Sequence, residues 1–169
     1  MKTSIKTTIA ILLLAGTAWA FQKAVKRSTF VDTTYGFTID TPKFPGTKPT
    51  TPGTVLIVTG PADDGFTPNM NVTIQATSTT AKAYRDLSVG QFKSLNLKLN
   101  SERQLKVSGR DAVELDYEGA LGGTKILRFL SMAVIDKDRV ILITCTTAPE
   151  GFAAVEAEFR ASLKSFKLP

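Results

Sequence analysis

Residues 111–135 read DAVELDYEGALGGTKILRFLSMAVI, and the fold turns on how that stretch is taken. Its first half places Asp111, Glu114, Asp116 and Glu118 within eight residues. Two readings compete: a carboxylate site for acid/base chemistry or a metal, and the wet face of a β-strand. In an extended chain, side chains alternate between faces. Glu114, Asp116 and Glu118 then share one face, and Val113, Leu115 and Tyr117 the other. Acids spaced in this way need only water or a cross-strand cation, such as Lys125 or Arg128. A hard cation requires about six or more oxygens, more than one strand supplies. No nucleophile or oxyanion feature accompanies a general acid/base pair. The stretch reads as a strand. Beyond the turn GALGG, the next strand is apolar on both parities, with Ile126, Leu130, Met132 and Val134 on one and Leu127, Phe129, Ala133 and Ile135 on the other. Such a strand is covered on both faces.

Outward from this stretch the same logic continues. ERQLKV precedes it and RVILITCTT follows it, joined through the short turns SGR and DKD. Short turns join antiparallel neighbours, so the four segments form a meander. Upstream, FVDTTYGFTIDTP at 30–42 reads as a first strand, or a hairpin bent at Gly36. KFPGTKPTTPGT reads as a loop, TVLIVT as a short strand, PADDGFTPN as a second loop and MNVTIQAT as a third strand. At Thr80 the period changes. A capped helix over about 81–99 is expected, with Tyr84, Leu87, Gln91/Phe92, Leu95 and Leu99 as its apolar stripe and Gly90 as its weak point. Lys82, Arg85, Lys93 and Lys98 fall off the stripe as a basic face. A last helix follows Pro149, with Phe152, Val155, Phe159, Leu163 and Phe166 stepping by three or four. The order of three strands, helix, four strands, helix predicts an α+β fold, an antiparallel sheet of about six to seven strands with helices on its faces.

The beginning of the chain has a separate reading. MKTSIKTTIAILLLAGTAWA combines basic Lys2 and Lys6, an apolar core and an A-x-A site ending at Ala20. It is read as a signal peptide (1–20), followed by a flexible segment (21–29) and a single domain (30–169), secreted or periplasmic after cleavage. A retained anchor is the alternative, although the uncharged run is short for a bilayer. Loss of Lys2 and Lys6 lowers the formal charge from +6 to +4. That charge serves solubility or attraction to anionic lipid through Lys82, Arg85, Lys93 and Lys98, rather than nucleic acid. Cys145 is the only cysteine, so no intramolecular disulfide forms, and its strand parity predicts a buried, inert thiol. The chain contains no histidine, which excludes Ser-His and Cys-His catalysis and imidazole-based zinc sites. No GxSxG, SxxK, Walker or GxGxxG motif is present either.

YGFTIDTP, FKSLNLKL, GRDAVELDYEG, RFLSMAVIDKDRVILITCT and the terminal FRASLKSFK, in that order, resemble the PsbP-like family. That family includes photosystem II extrinsic subunits and DcrB-like exported bacterial proteins. The resemblance implies an α/β/α sandwich around an antiparallel sheet. It also implies a non-enzymatic accessory or binding role, and it carries over no catalytic residue. The long basic N-terminal segment and the histidines of the photosystem subunits are missing here.

Function is therefore expected in binding. The chain reads as an exported, non-catalytic module for a protein partner in the cell envelope, without cofactor; a small-ligand or metal carrier is the alternative. Loops on a rigid scaffold carry recognition, which singles out Phe44 in the Pro-rich loop and Asp63, Asp64 and Phe66 in the second loop, beside Glu114, Asp116 and Glu118. The spacing of Asp63, Asp64 and Asn69 does not match a calcium loop, and an Asx-stabilised turn explains them.

Overall fold

The structure is a computed structural model that describes residues 27–44, 46–48 (backbone only), 53–62, 66–120 and 123–169. The expected signal peptide lies outside the described residues, as do 21–26, Asp63 and Asp64.

Residues 30–42 form a hairpin. Strands β1 (Thr29–Asp32) and β2 (Phe37–Asp40) pair antiparallel as a two-stranded sheet, and the bend uses Gly36 at φ 71°. The remaining strands are β3 (Gly46–Lys48), β4 (Thr54–Thr59), β5 (Asn69–Gln75), β6 (Lys98–Val107), β7 (Arg110–Gly119), β8 (Leu127–Asp136) and β9 (Arg139–Thr147). They form a seven-stranded sheet in the order β3-β4-β5-β9-β8-β7-β6, antiparallel at every pairing. Strand β3 corrects the expectation of an uninterrupted loop at 43–54. Its three residues form the edge of the sheet and pair with β4.

The meander β6–β9 is built on tight turns. Ser108 (φ 49°) and Gly109 (φ 77°) give the β6–β7 hairpin two left-handed residues, the geometry that matches strand twist. Cover comes from helices on opposite faces. Helix α2 (Phe152–Ser165) inserts Phe152, Phe159 and Leu163, with Phe166 just beyond, against Leu130, Met132, Ile141 and Ile143. The β1–β2 hairpin contributes Phe37 and Ile39 to this same core. Helix α1 (Ala81–Ser94) covers the other face with a smaller cluster around Phe92, Val113 and Leu115.

Helix α1 departs from its expected extent and rotation. Thr80 caps it, its Oγ1 accepting from the Ala83 N–H at 3.1 Å. It ends at Ser94, and left-handed Asn96 (φ 54°) turns the chain into β6, so Lys98 and Leu99 are strand residues. Phe92 stacks on Tyr117 with centroids 4.1 Å apart, and Tyr117 stacks on Phe129 at 4.9 Å. This aromatic column sets the helix rotation and leaves Leu87 and Leu95 exposed, at 63% and 53%.

Candidate functional site

Strand β7 carries Glu114, Asp116 and Glu118 on the face that α2 covers, and each is held by cations. The Asp116 carboxylate is buried and accepts a bidentate pair from Arg128 at 2.8 and 3.0 Å, with Asn100 adding a third bond at 3.2 Å. The Arg128 guanidinium lies 3.7 Å from the Phe152 ring centroid, so the ion pair is sealed by the start of α2. Glu114 accepts from Arg103 at 3.0 Å and from Arg160 of α2 at 3.2 Å. Glu118, nearer solvent, accepts from Lys98 at 2.9 Å, and that bond lowers its pKa. Near the other end of the sheet, buried Asp136 is clamped by Arg110 and Arg139. These carboxylates are structural anchors joining strands and helix. Glu114 borders a groove, but Arg103 and Arg160 both hold it, and no second carboxylate joins it there.

The loop aromatics are also committed. Phe44 is half-buried, meets Phe159 edge-on at 5.8 Å and packs so closely over Gly60 that a Cβ there would sit 3.2 Å from the ring. Phe66, the recognition candidate of the second loop, is half-buried. The basic face is dispersed. Lys82 bonds Asp86, Arg85 bonds Asp86 and Glu102, and Lys98 belongs to β6 rather than to the helix. Among the described residues no cluster of three or more histidine, cysteine, aspartate or glutamate side chains could hold a metal ion.

A groove of about 350 Å³ lies elsewhere, between β6 and the end of α2. Its floor is apolar, made by Leu105, Val107, Met132, Leu163 and Phe166. Its rim is cationic, with Arg103, Lys106, Lys164 and Lys167 set against the single carboxylate of Glu114. Arg103 is bonded to Glu114 and Lys106 to Asp111, whereas Lys164 and Lys167 form no ion pair among the described residues. One wall is the chain's C-terminal tail, which is pinned on both sides. Lys167 exchanges two backbone hydrogen bonds with Thr38 of β2, at 2.9 and 3.0 Å, and the Leu168 N–H donates to Ser108 Oγ at 3.0 Å. The groove is therefore built into the framework.

Sequence reasoning missed this site. Arg103, Leu105 and Val107 do share a strand parity, and Lys164 and Lys167 do flank Phe166. Nothing local, however, brings the tail beside a strand about 60 residues upstream in sequence, as the Leu168–Ser108 bond does.

No protein-family model and no curated protein matches the sequence. Solved structures do match. Cyanobacterial PsbP (CyanoP) from Synechocystis sp. PCC 6803 superposes with a TM-score of 0.61 at 18% identity, over 86% of this chain and 94% of that one. LpqN, a protein involved in cell envelope biogenesis of Mycobacterium tuberculosis, gives 0.63 at 14% identity, over 85% and 91%. This chain has the PsbP-like fold. A putative regulator of unknown function from Pseudomonas aeruginosa shares it, with a TM-score of 0.55 at 16% identity, over 82% and 94%. Within this PsbP-like fold the lone thiol sits at the centre of the sheet. Cys145 is fully buried and burial pushes its pKa well up, which keeps it protonated and inert.

Proposed function

We propose that this chain is an exported, non-catalytic accessory module that engages a protein partner in the cell envelope. Residues 1–20 serve as its signal peptide, cleaved near Ala20, and 30–169 as its single binding domain. The observation that carries the reading is the groove between β6 and α2. It has a fixed apolar floor and a cationic rim, whereas the carboxylates that would serve an enzyme are spent on ion pairs. The solved LpqN structure, described as that of an envelope-biogenesis protein, supports an envelope setting. Among the described residues no helix is long and apolar enough to cross a membrane.

A small-ligand carrier is the second reading, because about 350 Å³ falls at the lower end of the range of small-molecule pockets. Native mass spectrometry and in situ crosslinking of the mature protein from its own envelope separate the two. The partner reading expects a bare mass and one reproducible crosslinked protein. A retained small-molecule or metal mass, with no crosslinked protein, overturns it in favour of the carrier.

A further inference from the structure

The groove borders a second unused feature. Strand β6 ends the seven-stranded sheet and, among the described residues, pairs with β7 alone. It is ten residues long and largely exposed, whereas β3 at the opposite edge has three. A free edge of that length is a template for another strand unless it is guarded. Here the guards are a register shift between Leu99 and Ser101, which spoils the first half, and the charges of Lys98, Arg103 and Lys106. From Arg103 to Val107 the register with β7 is unbroken. That half of the edge is the half that borders the groove.

We propose that an extended, acidic segment of a partner protein adds to the Arg103–Val107 half of β6 as an eighth strand and lays alternate side chains into the adjoining groove. This rests on the reading of the chain as a protein-binding module and supplies the chemistry of the partner. Alternation sends every second side chain of an added strand to the α2 side of the sheet. Apolar side chains there meet the floor of Leu105, Val107 and Phe166, and carboxylates reach Lys164 and Lys167, the rim cations left without an ion pair among the described residues. Backbone pairing supplies affinity, and the pockets and charges supply selectivity. The cations that keep β6 from pairing with the β6 of another copy are the ones that favour an acidic strand. A lipid would use the floor and the charge but would leave the directional edge unpaired, so the observations favour a peptide.

The probe is a fluorescein-labelled nonapeptide whose every second residue is in turn valine and glutamate, with threonine between them, so that one face carries both; it is titrated by anisotropy into the mature protein at low salt. The expected result is saturable binding, weakened about tenfold by Lys164→Glu with Lys167→Glu. Backbone N-methylation along one edge of the peptide weakens it about tenfold, and methylation along the other edge does not. Amide exchange within 103–107 slows on binding. An unchanged thermal melt of the double variant excludes misfolding. Equal binding of a block-ordered peptide of the same composition, or indifference to methylation on both edges, overturns strand addition. Binding to phosphatidylglycerol vesicles with no peptide binding overturns it in favour of a lipid surface. An envelope crosslink that survives the double variant leaves the partner reading standing and removes the groove as its site. Peptide binding without any envelope crosslink does the reverse.

Discussion

Asp116 and Glu114 stand two residues apart on one strand and end in different arginine clamps. Both acids and Arg128 were legible as neighbours, because strand parity and a cross-strand partner follow from the alternation alone. Arg103 and Arg160 were not, because one depends on the pairing of β6 with β7 and the other on where α2 lands. The Asp116–Arg128 pair lies under Phe152, so loss of Asp116 leaves a partly exposed guanidinium with only the weaker attraction of Glu118 and Glu156. Asp116→Ala is expected to cost about 2–3 kcal/mol in urea unfolding, less than for a fully buried pair because Arg128 is partly exposed. Adding Arg128→Met should recover part of that loss. If the double variant is as unstable as the sum of the two single ones, the pair is not coupled.

Between the two helices, legibility differed for a physical reason. The apolar residues of α2 lie on one uninterrupted stripe, so its buried face could be assigned from period alone. Helix α1 has apolar residues at several phases, and the stack of Phe92 on Tyr117 decided which were buried, against Leu87 and Leu95. Two glycines separate local from tertiary need. Gly90 lies in mid-helix with open space where a Cβ would go, so Gly90→Ala should stabilise by about 0.5–1 kcal/mol. Gly119 has φ 155°, and a Cβ there would lie 2.5 Å from Leu97 Cδ2 and 3.2 Å from its Cα. Gly119→Ala should therefore destabilise by about 1–3 kcal/mol. Thermal melts of the two variants test this, and shifts of the same sign would refute it.

For the whole molecule, charge ties stability to pH. The Asp136 carboxyl is held below the usual aspartate range, first by the hydrogen bond from Arg110 and then by Arg139. A lowered folded pKa means that the native state resists protonation more than the unfolded chain does. The contribution is complete above the ordinary value of about 4 and is lost as pH falls through the folded value. Asp136→Asn should be less stable than wild type at pH 7, and the two should converge toward pH 2 in urea titrations. Parallel curves over that range would exclude this origin. At the alkaline end, burial pushes Tyr117 up to about 12. Its contribution persists to about pH 10 and is lost as pH rises through the folded value.

The sequence by itself determined the α+β class, the β6–β9 meander, the buried face of α2 and the burial of Cys145. All of these follow from period, parity and turn chemistry, which act over a few residues. Only the tertiary structure decided that residues 30–42 leave the main sheet as a hairpin and that Gly46–Lys48 pair as its edge strand. It also decided the rotation of α1 and the meeting of the C-terminal tail with β6. Those depend on contacts between segments far apart in the chain. The groove is made entirely of such contacts, whereas the acids of β7 were visible in advance because a single strand sets them side by side.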